Sequence, residues 1–196
     1  MIGLIVLAFV VPWMIDRTVE AYTDAEPIEM NAPALAPKHR EELDARVEEF
    51  AESIDSGEFT RPLILTEEEI NGVLAEEVDP RDGAVQLALL PGEVHAFVSL
   101  PIDAELPLGP WSRDLTGRYL NGVAAVELTL MGGELGFRIK EFDVKGRKLP
   151  GYALEALERE VRSSGALDDD EVRDYVRRAG ELRVERGRIV ITPKEM

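Results

Sequence analysis

From Val85 to Ile102, and again from Val126 to Ile139, the apolar residues recur at every second position, and this period of two limits both stretches to long paired strands. Val85, Leu87 and Leu89 precede Pro91-Gly92; Val94, Ala96, Val98, Leu100 and Ile102 follow it. Such alternation reads as a hairpin with one face turned to a core. A second hairpin is read from Val126, Leu128 and Leu130 through Met131-Gly132-Gly133-Glu134 to Leu135, Phe137 and Ile139. In its outgoing strand the apolar positions slip from odd numbers to even ones at Phe142 and Val144, which predicts a bulge near Lys140-Glu141.

Both flanks of this region follow a helical period. Leu43, Val47, Phe50 and Ile54 fall on one face of a predicted helix that starts at Lys38 and stops at Gly57. Thr66 is placed to cap a second helix, with Glu69 returning the bond and Ile70, Val73 and Leu74 facing inward. After Leu149-Pro150-Gly151 a third helix carries Leu154, Leu157 and Val161. A fourth starts at the acidic run Asp168 to Glu171, with Val172, Tyr175, Val176 and Ala179 as its stripe. Acidic residues at a helix start complement its dipole, so this run needs no metal to explain it. Leu182 and Val184, an Arg186-Gly187 turn and Ile189 to Ile191 close the chain as strands. Helices and strands in blocks predict an α+β fold, a curved antiparallel sheet of long hairpins packed with amphipathic helices.

Ahead of this domain, Ile2 to Ile15 is a run of fourteen residues without a charge. As a helix it covers about 21 Å, against a hydrocarbon core of about 30 Å. It is read as a membrane anchor over residues 1–16, followed by a linker over 17–37 and one α+β domain over 38–196. A short span, a span inside a larger complex and an anchor that begins upstream all fit. A signal peptide with Val19-Glu20-Ala21 at its cleavage site and a buried core helix are the competing readings. Trp13 suits an interface. The folded part is expected outside the cytoplasm.

With 39 acidic against 22 basic side chains and a formal charge of −17, nucleic acid is an unsuitable partner. The absence of cysteine removes thiolate chemistry and Cys-ligated zinc. No phosphate-binding glycine loop, nucleophile elbow or HExxH metal motif occurs. His95 and Ser99 lie on one face of a strand about 13 Å apart by rise, too far for a dyad. No cofactor, metal or catalytic residue is therefore assigned, and the chain is expected not to be an enzyme. The stretch Leu106 to Tyr119 is read as a loop offering Trp111, Leu115 and Tyr119 to a partner or bilayer, with Trp111 as a cap on the core the alternative.

The phrases Leu65-Thr66-Glu67-Glu68-Glu69-Ile70-Asn71 and Lys145-Gly146-Arg147-Lys148-Leu149-Pro150, set after an anchor and an acidic linker, resemble the YpmS-like membrane-anchored bacterial proteins. More distantly the chain resembles the tubular lipid-binding group, whose curved sheet wraps a helix around an apolar groove. The resemblance implies a bacterial, extracytoplasmic, non-enzymatic domain that shelters a lipid chain. Val85, Leu87, Val98, Leu100, Leu128, Leu130, Phe137 and Ile139 would line such a groove, and the same eight residues are the predicted core. The other expectation is an accessory subunit docked to a larger membrane complex. Membrane lipid and a membrane protein complex are thus the expected partners.

Overall fold

The computed structural model describes residues 16–30, 32–56, 61–79, 81, 83–102, 105–106, 113–131, 134–163 and 179–193. Long strands form where the apolar period is two. Strand β2 (Ala84–Leu90) turns at Pro91-Gly92 into β3 (Glu93–Ile102), the short β4 (Glu105–Leu106) and β5 (Arg113–Asp114) pair with each other, and β6 (Arg118–Met131) returns as β7 (Glu134–Val144). Gly92 has φ of 77°, a left-handed backbone that glycine adopts without steric penalty. The small β8 (Arg147–Lys148) completes an antiparallel sheet in the order β2-β3-β6-β7-β8. This sheet is open, with β2 and β8 at its edges, and is not a closed barrel.

Register explains the slip in alternation. Ala125 pairs with Glu141 while Val126 pairs with Ile139, so Lys140 is the additional residue of a bulge. Lys140 reaches Glu93 at 3.6 Å and Glu141 meets Lys148 at 2.6 Å, so the bulge turns two successive charged residues away from the core. Facing the core are Leu87, Ala96, Val98, Val126 and Leu128, with Ala124, Phe142 and Val144 buried among them.

Two layers cover that face. Helix α4 (Gly151–Ser163) lays Leu154 and Leu157 against Phe142 and Val144. A smaller antiparallel sheet, formed by β1 (Leu63–Thr66), β9 (Ala179–Glu185) and β10 (Arg188–Pro193) in the order β1-β10-β9, brings Leu182, Val184 and Ile189 against Leu89 and Val94. Helix α2 (Pro37–Ser56) covers this small sheet with Phe50 and Ile54 on Leu63, Leu65 and Ile191. Val47, expected on the inward face of α2, is 37% exposed; Ala51 is buried with Leu43, Phe50 and Ile54 instead. The contact stripe is therefore rotated slightly about the helix axis from the expected one. Ala179, expected to be helical, opens β9. The expected helix from Asp168 to Val176 lies outside the described residues.

Helix α3 (Glu67–Glu77) begins in the expected capping box. The Glu69 amide donates to Thr66 Oγ1 at 3.3 Å and the Thr66 amide to Glu69 Oε2 at 2.8 Å. Arg46 of α2 also binds the Glu69 carboxylate. α3 guards the free edge of β2 as well. The Leu87 amide donates to Asn71 Oδ1 at 2.6 Å, and Asn71 Nδ2 donates back to the Leu87 carbonyl at 2.8 Å. Two residues on, the Leu89 amide donates to Glu67 Oε2 at 2.7 Å and the Leu89 carbonyl accepts from Gly187. Side chains and a turn thus stand in for a missing neighbouring strand, the usual remedy for an edge that would otherwise pair with other chains.

Candidate functional site

The residues that follow the apolar N-terminal run form a strap bound to the long sheet. Residues 16–22 are helical (α1), and Tyr22 packs against the cluster of Ala124, Phe142 and Val144. The chain then passes the end of the sheet. Asp24 pairs with Tyr119 of β6 as a single antiparallel bridge, its amide donating at 2.8 Å and its carbonyl accepting at 2.9 Å. Arg118 Nη2 donates to the Thr23 carbonyl at 3.1 Å. Lys145 Nζ reaches the carbonyls of Glu20 and Thr23 at 2.9 and 2.7 Å and Asp24 Oδ1 at 2.6 Å.

Beyond this point the strap crosses the outer face of the sheet on a buried polar row. Ser99 and Asn121 are cross-strand partners, 1% and 5% exposed, and Ser99 Oγ donates to Asn121 Oδ1 at 2.7 Å. Asn121 Nδ2 donates to Asp24 Oδ2 at 3.1 Å and to the Glu26 carbonyl at 2.9 Å, and the Ile28 amide donates to Ser99 Oγ at 3.1 Å. Among the described residues no buried side-chain polar atom lacks a partner. The strap's far end lies on α3, where Leu35 occupies the space that a side chain on Gly72 would need.

The Lys145 ammonium, with help from Asn121, holds the Asp24 carboxyl below its ordinary value against the opposing effect of burial. A depressed folded-state pKa contributes stability that is present above the unfolded pKa and is lost as pH falls through the folded one. Urea unfolding should therefore show stability declining below the ordinary carboxylate range, and Asp24→Asn should flatten that decline. An unchanged acid slope in Asp24→Asn would show that Asp24 takes no part in it.

Two apolar grooves flank the strap. One, of about 370 Å³, is floored by Phe97, Gly122 and Val123 and walled by Ile28 and Met30, with Lys145 and Asp143 at its rim. The other, of about 360 Å³, lies between the strap and Leu74, Val78 and Val85. Ile28 is 51% and Phe97 40% exposed, so the first groove carries two of the large hydrophobic side chains that this surface leaves uncovered. Among the described residues no group of three His, Asp or Glu side chains is arranged to hold a metal ion.

The eight residues expected to line a ligand groove come together on one face. Val85 pairs with Val98 and Leu128 with Phe137, and Leu87, Leu100, Leu130 and Ile139 share their face of the sheet. Leu87, Val98, Leu128 and Ile139 pack within the core clusters, whereas Val85 also borders the second groove. Of the expected contact residues, Leu115 is buried and Tyr119 lies half-buried in β6, paired to Asp24. Both belong to the fold and not to an exposed loop. Trp111 and Trp13 lie outside the described residues, as does the apolar run itself; among the described residues no helix is long and apolar enough to cross a membrane. The strap occupies what the sequence pattern presents as a free linker. Its anchor in the sheet is the polar pair Ser99 and Asn121, which face each other across β3 and β6.

Comparison with known proteins finds no matching family model, no similar curated protein and no similar solved structure.

Proposed function

We propose that the chain is a membrane-anchored, non-enzymatic binding domain, its folded part outside the cytoplasm, that holds a lipid chain or similar apolar group. The observation that carries this reading is the apolar groove of about 370 Å³ beside the strap, immediately downstream of the uncharged run Ile2 to Ile15. Its volume falls at the lower end of the range for ligand pockets. Phe97 is half-exposed at its floor, so Phe97→Asp should leave folding intact while abolishing capture of an apolar ligand.

A second reading, an accessory subunit of a membrane complex, is favoured by the bonds that hold the strap. Hydrogen bonds from Arg118, Lys145 and Asn121, and one from the Ile28 amide to Ser99 Oγ, tie the segment next to the apolar run to the sheet, which would give the domain a set orientation at the bilayer. Native mass spectrometry of the full chain purified from membranes separates the two. Bound lipid that disappears in Phe97→Asp supports the first reading, and a co-purifying membrane protein with no lipid supports the second. Recovery of the chain from the soluble fraction, with neither, would sink both.

A further inference from the structure

The bonds that fix the strap also bring a basic turn close to the end of the apolar run. Residues 16–20 are helical, and a helix rises about 7.5 Å over five residues. At Glu20 the backbone carbonyl already accepts from Lys145 Nζ at 2.9 Å. The head-group layer on each side of a bilayer is about 5–8 Å thick. If the apolar run enters the hydrocarbon, the turn Lys145-Gly146-Arg147-Lys148 therefore lies at head-group depth, and any tilt of the helix brings it nearer.

The groups at this end suit that position. Asp24 is paired with Lys145 and Glu141 with Lys148, each at 2.6 Å, and Asp143 accepts from the Gly146 amide at 2.7 Å, so these carboxylates already have partners. Arg147 is exposed, and the Lys148 side chain is 68% exposed. Tyr152, in the first turn of α4, is 77% exposed. Long basic side chains beside an exposed tyrosine are the combination enriched where protein meets lipid head groups. The turn places three basic residues together in a chain whose net charge is −17, two of them, Lys145 and Lys148, shared with Asp24 and Glu141.

We infer that Arg147, Lys148 and Tyr152 form a membrane-facing contact that binds the phosphate groups of phospholipids around the anchor. This rests on the proposed membrane attachment and adds to it which end of the domain meets the bilayer. The β9–β10 turn at Arg186-Gly187 is at the opposite edge of the long sheet, where Gly187 bonds Leu89. Lys148 lies opposite Asp143, Asp143 opposite Val123 and Val123 opposite Phe97, so the two sites are separated by about 10 Å along the strands and by about 19 Å across the four strand spacings from β2 to β8.

Because the chain has no cysteine, single labels are simple to place. No atom lies within 4 Å of where a side chain at Gly151 would begin, and its backbone does not require glycine, so Gly151→Cys leaves all three contact residues intact. The full chain carrying an environment-sensitive fluorophore at Gly151→Cys, or at Arg186→Cys as the distant control, is reconstituted into phosphatidylcholine–phosphatidylglycerol vesicles containing head-group spin-labelled lipid. The expected result is quenching several-fold stronger at position 151 than at 186, reduced by Arg147→Glu with Lys148→Glu while vesicle flotation is unchanged. Flotation with equal, weak quenching at both positions overturns the contact and leaves the anchor reading standing. Quenching indifferent to the double charge reversal also overturns it, since proximity without binding would suffice. Failure to float overturns both.

Discussion

Replacing Asn71 by Ala should lower stability by about 2–4 kcal/mol in urea unfolding, a large effect for the loss of one polar side chain. Asn71 is 7% exposed, and its side chain pairs with both the amide and the carbonyl of Leu87 on the edge strand β2. Truncation leaves two backbone groups without partners, and each unsatisfied buried group costs about 1–3 kcal/mol. Asn71→Leu should be no milder, because a larger apolar residue repairs neither bond. A loss under about 0.5 kcal/mol would mean that water satisfies Leu87 and that the edge is open.

Gly122→Val is expected to be comparably disruptive by a different route. A side chain at Gly122 would start 2.4 Å from the ring of Phe142 and 2.5 Å from the Asp143 carbonyl. Phe142 is 3% exposed and Val144 fully buried beside it, so the ring has little room to retreat. Overpacking of this kind typically costs about 1–3 kcal/mol and occasionally more; contact with a backbone carbonyl puts this site at the upper end. The measurement is the midpoint of thermal or urea unfolding. A Gly122→Val protein with a wild-type midpoint would show that β6 and β7 have room between them for a branched side chain.

Much of the fold is legible in the pattern of side chains because the deciding interactions are local. The period of two places β2, β3, β7 and the second half of β6 from Val126, though not its first half, Arg118 to Ala125; the slip at Lys140 locates the bulge, and Thr66 with Glu69 marks the start of α3. Local pattern is silent on pairing between distant segments. Nothing around Leu63-Ile64-Leu65 announces that it pairs with Ile189 to Ile191, since any short apolar strand would satisfy the same edge.

The candidate site is hidden from the sequence for a related reason. Thr23, Asp24, Glu26 and Ile28 have the composition of a solvated linker, and they become part of the fold only because Asn121 and Ser99 sit opposite each other in the sheet and face them. A buried polar pair needs partners, and here the strap supplies them. The eight inward residues are legible as a set because alternation assigns them to one face. Alternation does not say what covers that face, and α4 and the small sheet do so for Leu87, Val98, Leu128 and Ile139.

Both the proposed orientation of the domain at a bilayer and the groove beside the strap depend on the segment after the apolar run being bound to the sheet instead of serving as a free tether. Hydrogen exchange on the full chain in lipid nanodiscs probes this at the amides of Asp24 and Ile28, which donate to the Tyr119 carbonyl and to Ser99 Oγ. Slow exchange is expected at both in the wild type, approaching that of β6, with a sharp acceleration in Asn121→Ala while β6 stays protected. Exchange at free-chain rates in the wild type would contradict a bound strap.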